Sequence, residues 1–152
     1  MSQSWTDEIT AELHGISKKA PGTIALPTGP VGFAFPPGSD GPSDAVRNSP
    51  EHLLGASVAA CWLLTWGLVA DKFRLDVVST TAVAKVSVVP DGPGLKLDSV
   101  RLEVSITVRG DREALEGKVL KACEVSSRGC IVEKALRPSL RAYDVVPSIS
   151  WV

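Results

Sequence analysis

Three cysteines and one isolated arginine are the residues best able to do chemistry in this 152-residue chain. Cys61 stands inside an apolar stretch, between Ala60 and Trp62. A cysteine so placed is either a small buried hydrophobe or a nucleophile that its surroundings activate. Cys130 follows Gly129 at the start of a short predicted helix. Backbone N–H groups and the helix dipole there favour a thiolate. Cys123 lies seven residues earlier. On a regular helix that is ~10 Å along the axis, too far for a disulfide with Cys130, so Cys123 reads as core or as a surface thiol of no consequence. Arg47 is the only Lys or Arg between Lys19 and Lys72. It is either an ordinary surface arginine or the cation that a reactive thiolate needs nearby.

Other chemistries lack their residues. His14, His52 and the three cysteines show no metal-ligand spacing such as CxxC or HxxxH. No GxxxxGK[ST] or GxGxxG offers a phosphate cradle, and no GxSxG elbow supports a serine nucleophile. The reading therefore assigns no cofactor and no metal.

The elements that must position the thiols can be read from the pattern. Leu53 to Ala70 is 18 residues without a charge, near the lower limit for crossing a bilayer. Gly55, Ser57, Thr65 and Gly67 dilute it, and His52, Asp71 and Lys72 close its ends, so it reads as a buried central helix. Ser49 suits the N-cap, Pro50 the first helical position and Glu51 the positive helix end. The helix is predicted from Pro50 to about Phe73. A helix apolar all round needs cover on every side, which a chain of this size supplies most simply by pairing with a second copy.

Residues 21–50 hold seven prolines and five glycines, a texture of turns and short strands. Strands are expected near Thr6–Ile16, Gly22–Leu26 and Val31–Phe35, with a loop from Pro36 to Asn48. After the helix, Val78, Thr80, Ala82, Ala84, Val86 and Val88 share one parity. Pro90 to Gly94 is a turn. Then Val100, Leu102, Val104, Ile106 and Val108 alternate with Arg101, Glu103, Ser105, Thr107 and Arg109. That is a half-buried antiparallel hairpin. A second amphipathic helix follows, capped by Asp111, with Leu115, Val119 and Ala122 as its apolar stripe and Gly129 at its end. Cys130 to Leu136 reads as a further short helix, and Ser139 to Val146 as a closing strand. The order β-β-β-α-β-β-α-α-β predicts a single α+β domain over residues 1–152, with an antiparallel-rich sheet.

Composition excludes several function classes. Hydrophobic residues are 44% and charged residues 22%, which is globular. A net charge of -1 gives no basic excess, so no nucleic-acid partner is expected. No Lys or Arg precedes Lys18 and no early apolar run occurs, so no targeting segment or membrane association is read. A cytoplasmic, reducing compartment is the expectation.

Ser49-Pro50-Glu51-His52-Leu53-Leu54-Gly55, running on through small residues to Cys61, resembles the signature of the OsmC/Ohr family. In that family a Pro-Glu-x-Leu helix start precedes a cysteine ten positions after the glutamate. Cys130-Ile131-Val132-Glu133-Lys134-Ala135-Leu136 is similar to the family's second-cysteine motif. Ile131 stands for the usual proline and Glu133 for the usual serine. The approach Ser126-Ser127-Arg128-Gly129 is closer to the family's less characterised branches.

The resemblance implies an intertwined homodimer with active sites at the interface, and a thiol-dependent peroxidase acting on organic hydroperoxides. It implies Cys61 as the peroxidatic cysteine, Cys130 as the resolving one, and Glu51 as the residue that holds the catalytic arginine. That arginine usually lies further upstream; the matching position here is Gly41, and Arg47 is the arginine available through a shifted loop. Glu51 is ~15 Å from Cys61 along one helix, so if both serve one site they come from different subunits. Trp62, Leu63 and Trp66 could line an apolar substrate pocket. The expected partners are an organic hydroperoxide, an external thiol or dithiol reductant and a second copy of the chain. The alternative is a non-catalytic dimeric module of the same fold, binding a small apolar ligand or sensing redox state.

Overall fold

A computed structural model describes residues 10–13, 22–27, 29–33 and 49–152. The first three strands are β1 (Thr10–Leu13), β2 (Gly22–Leu26) and β3 (Gly29–Phe33), paired antiparallel in that order as a sheet of their own. The expected first strand is thus present over its middle; its ends, with Arg47 and His14, lie outside the described residues.

Helix α1 runs Pro50–Lys72. Its start is closed reciprocally: the His52 N–H donates to Ser49 Oγ and the Ser49 N–H to His52 Nδ1, both at 3.2 Å. At 23 residues α1 is long and apolar enough to cross a membrane. Val58, Trp62, Trp66, Val69 and Ala70 instead belong to a core shared with Val100, Leu102, Val104, Ile106 and Val108 and with Val119 and Ala122. Among the described residues the helix is not enclosed on every side, however. Its other side leaves Leu64 74% and Leu68 69% exposed.

Strands β4 (Val77–Asp91) and β5 (Gly94–Val108) form the long hairpin. Its loop is only Gly92-Pro93, tighter than the five-residue turn expected. Gly92 supplies the positive φ, 57°, that a two-residue hairpin loop needs at its first position. The inward side chains of β5, Val100, Leu102, Val104, Ile106 and Val108, are all at most 1% exposed. On β4 the expected parity holds for Ala82, Ala84 and Val86, which pack on the core. It fails at both ends, where Val78 and Val88 are exposed. Where the register slips between Val77 and Ser79, Val78 is the extra residue on β4 and falls out of phase with the strand beyond it; at the slip between Ser87 and Val88 the extra residue is Asp98 on β5, and Val88 lies beyond it near the hairpin loop.

Helix α2 (Arg112–Gly129) begins at Asp111, whose carboxylate accepts from the Glu113 N–H at 3.1 Å. Helix α3 (Ile131–Leu136) follows at once, then a 3₁₀ turn at Arg137–Ser139. Strand β6 (Ala142–Trp151) starts three residues later than expected and runs past Pro147. It lies at the edge of the sheet order β4-β5-β6, parallel to β5. An edge position tolerates a proline, which cannot donate to the ladder. Arg141 pins the strand's entry to β5: its guanidinium donates to both carboxylate oxygens of Asp98, and its N–H to the Asp98 carbonyl at 2.8 Å. The crossover through α2 and α3 is what a parallel return requires. The result is an α+β fold with a mixed three-stranded sheet under its helices.

Candidate active site

Cys61 and Cys130, 69 residues apart in sequence, meet with their sulfurs 3.1 Å apart as free thiols. Three neighbouring contacts make this meeting. The Trp62 indole N–H donates to Ser127 Oγ at 3.1 Å. The Thr65 hydroxyl donates to the Cys61 carbonyl at 2.8 Å, which fixes where its methyl points. Gly129 passes that methyl so closely that a Cβ added there would lie 2.9 Å from Thr65 Cγ2. One side of α1 thus docks the α2–α3 joint, and the lack of a side chain at Gly129 permits the approach.

Cys61 is half-buried, and Cys130 is fully buried. Cys130 caps α3, its sulfur accepting from the Glu133 N–H at 3.5 Å. The sequence argument expects that helix start to favour a thiolate. The structure reverses it: burial pushes the Cys130 thiol up to about 11, and Cys61 beside it adds to the rise. Loss of hydration outweighs the few backbone N–H groups of a six-residue helix. Burial likewise pushes Cys123 up to about 11. That thiol sits in the core, the first of the two readings of its position.

Glu51 lies half-buried in the first turn of α1, and Cys61 in the middle of the same helix. Trp62 and Trp66 are 0% and 2% exposed, stacked at 5.7 Å, with both indole N–H groups satisfied, Trp66 by Thr80 Oγ1 at 2.9 Å. Leu63 is half-buried against the core.

A polar cluster beside the thiols escaped the sequence reading. Glu133 is 3% exposed, and its Oε1 accepts from Nε and Nη2 of Arg137. The Arg137 guanidinium lies 5.0 Å over the ring of Tyr143. Glu133 Oε2 and the Tyr143 hydroxyl are buried with no hydrogen-bond partner among the described residues. Burial, then the charge of Glu133 and of the two thiols, hold the Tyr143 hydroxyl well above the usual tyrosine range. A signal for part of this existed. Cys130-x-x-Glu133 has the spacing of a capping box, with a thiol where Ser or Thr usually stands, and Arg137 follows Glu133 by one helical turn. Nothing local marks Tyr143, which arrives from β6. Behind Glu133 a cleft of about 790 Å³ is lined by Cys123, Ser127, Arg128, Glu133 and Arg137 among others. Among the described residues no group of three or more His, Cys, Asp and Glu is placed to hold a metal ion.

Comparison with known proteins agrees with this architecture. A family model described as OsmC-like protein matches residues 41–142. No curated protein matches the chain. Among solved structures, an OsmC-like protein from Mycoplasma pneumoniae is similar at a TM-score of 0.77 and 18% identity, with 99% of each chain covered. An organic hydroperoxide resistance protein from Elizabethkingia anophelis is similar at a TM-score of 0.70 and 22% identity, covering 97% of this chain and 100% of that one. The organic hydroperoxide resistance protein OhrB of Bacillus subtilis is similar at 0.68 and 23% identity, covering 96% and 98%. With the family model spanning both cysteine motifs and the strand–helix order shared with these structures, the chain belongs to the OsmC family.

Proposed function

We propose that this protein is a cysteine-based peroxidase that reduces organic hydroperoxides to alcohols. The observation that carries the reading is the 3.1 Å separation of the Cys61 and Cys130 sulfurs. A disulfide needs ~2.05 Å, so closing the pair takes a shift of about one ångström. Cys61, the more accessible of the two, attacks the distal peroxide oxygen as a thiolate; the O–O bond breaks and the alkoxide leaves as the alcohol. The Cys61 sulfenic acid then condenses with Cys130, releasing water, and an external thiol or dithiol reduces the disulfide. The family, and the hydroperoxide resistance proteins among its structural relatives, support a role in peroxide defence.

In this reading Arg47 activates Cys61 and polarises the peroxide, and Glu51 orients Arg47. Leu63, backed by the buried Trp62 and Trp66, gives the apolar wall that suits an organic substrate. Residues 1–152 act as one OsmC-like domain in a cytoplasmic homodimer. The exposed Leu64 and Leu68 on α1 favour the dimer, since a second copy would bury them.

The test is consumption of cumene or tert-butyl hydroperoxide. The parent protein consumes it, Cys61→Ser does not, and peptide mapping after one equivalent finds Cys61 joined to Cys130 with Cys123 free. A bridge to Cys123, or no consumption, overturns the reading.

A further inference from the structure

Two contacts fix the direction of the Cys130 side chain. Its S–H donates to the Cys61 sulfur at 3.1 Å, and its sulfur accepts from the Glu133 N–H at 3.5 Å. The second contact comes from α3, a helix of six residues. A helix that short does not hold its own shape in water, so groups outside it must fix its rotation. At its start the Cys130 N–H donates to the Ser126 carbonyl at 2.9 Å, which ties it to α2. At its end the tie is Arg137. The Arg137 backbone N–H donates to the Glu133 carbonyl, and its guanidinium donates through Nε and Nη2 to Glu133 Oε1. The same guanidinium lies 5.0 Å over the ring of Tyr143. Tyr143 is buried and registers with Val100 on the central strand β5. A continuous line of contacts therefore runs from the sheet through Tyr143, Arg137 and Glu133 to the Cys130 sulfur.

As a source of stability this line is poor. The Glu133 carboxylate is buried, while Arg137 is about half exposed. Glu133 Oε2 and the Tyr143 hydroxyl are buried without a partner among the described residues. Taking a carboxylate out of water costs more than a single ion pair offsets, and apolar side chains of similar volume commonly stabilise as well or better. Apolar side chains do not supply direction. A planar guanidinium does, because it meets a carboxylate and an aromatic face at defined angles.

We propose that the Glu133–Arg137 pair, seated on Tyr143, is the positioning device of the resolving cysteine: it fixes the rotation of α3 so that the Glu133 N–H keeps the Cys130 sulfur turned toward Cys61. Glu133 and Arg137 act through Cys130 and touch no substrate. This rests on the reading of Cys61 and Cys130 as a working pair, and adds to it the residues that set their approach. The consequence is a separation of effects. Removing the pair leaves the fold as stable as before, yet a reacting group displaced by ~1 Å loses ~10²-fold in rate.

Closure without peroxide reads this directly. In a Cys123→Ser background, one equivalent of DTNB loads Cys61 as a mixed disulfide. Cys130 gives its proton to the buffer and attacks the Cys61 sulfur; the Cys61–Cys130 bond forms, the bond to thionitrobenzoate breaks, and that thiolate leaves and is followed by its absorbance. Glu133→Met/Arg137→Met removes both charges together. It is expected to keep or raise the parent's urea midpoint and to close at least ~tenfold more slowly. Glu133→Gln keeps an oxygen for Arg137, and its rate is expected to stay closer to the parent than to the double variant. Parent-rate closure in the double variant overturns the proposal. So does slow closure accompanied by a lowered urea midpoint, which would make the pair merely structural. Arg137→Lys alters only a half-exposed side chain, leaves Glu133 its cation and loses the flat contact on Tyr143; it is expected to fold and to close more slowly, and a parent rate there overturns the proposal as well. A separate pulse of cumene hydroperoxide judges the peroxidase reading: a parent protein that forms no Cys61–Cys130 bridge refutes that reading, while closure from the mixed disulfide still judges the pair.

Discussion

Replacing Gly129 with alanine should disable disulfide closure without touching either thiol. The added Cβ would stand 2.9 Å from Thr65 Cγ2, where ordinary carbon contacts are ~3.5–4.0 Å. Something must yield by roughly 0.6 Å or more. Thr65 is poorly able to do so, because its hydroxyl is held at 2.8 Å by the Cys61 carbonyl and rotating the methyl away breaks that bond. The strain therefore falls on the α2–α3 joint, whose next residue is Cys130. Overpacking of this kind costs ~1–3 kcal/mol, offset in part by the ~0.4–1 kcal/mol that an alanine gains over glycine in the unfolded chain. A reacting group displaced by ~1 Å loses ~10²-fold in rate, so closure should fall by one to two orders of magnitude while stability falls by about 1–2 kcal/mol. The assay is closure read without peroxide: DTNB loads Cys61 as a mixed disulfide, and attack by Cys130 releases a second thionitrobenzoate, with thermal unfolding measured beside it. Thr65→Ser removes the clashing methyl and keeps the hydroxyl, so Gly129→Ala/Thr65→Ser should recover most of the lost rate, a coupling that a double-mutant cycle reads directly. Parent-like closure in Gly129→Ala alone would refute the idea that this contact sets the sulfur separation.

Arg47→Ala should cut both the peroxidase rate and the alkylation rate of Cys61 by iodoacetamide at least about tenfold with the dimer intact; parent rates would mean that the cation comes from elsewhere. Leu64→Glu/Leu68→Glu should turn a dimer into a monomer by light scattering, since each exposed leucine buried in an interface contributes ~1.5–3 kcal/mol, and a stable folded parent monomer at micromolar concentration would contradict the homodimer. Both Cys123 and Cys130 have proton affinities raised by burial to about 11. The native state then holds protons that the unfolded state releases first, so their stabilisation is full below about pH 9 and is lost as pH rises through about 11. Urea midpoints should fall across that window, and Cys123→Ala should flatten the fall.

Local pattern determined much of this protein. The strict alternation of Val100 through Val108 placed β5, because side chains in a strand point to opposite faces by geometry alone. The Ser49-Pro50-Glu51 start and the charge-free run to Ala70 placed α1, since capping and helical phase are properties of neighbouring residues. Two cysteine motifs in order were enough to name the family. Tertiary structure decided the rest. The bulge that turns Val78 outward depends on how β4 registers against β5. Pro147 continues a strand only because β6 ends up at a sheet edge. Above all, the sequence suggested a Cys130 thiol with lowered proton affinity, and the fold gave the opposite. A helix start stabilises charge through a few local dipoles, whereas burial removes water from every side, and burial exists only once α1, α2 and β6 have closed around the sulfur. The same closure brings Tyr143 and Arg137 to Glu133 and strands one buried carboxylate oxygen without a partner among the described residues, an arrangement that residue spacing along α3 hints at but packing alone completes.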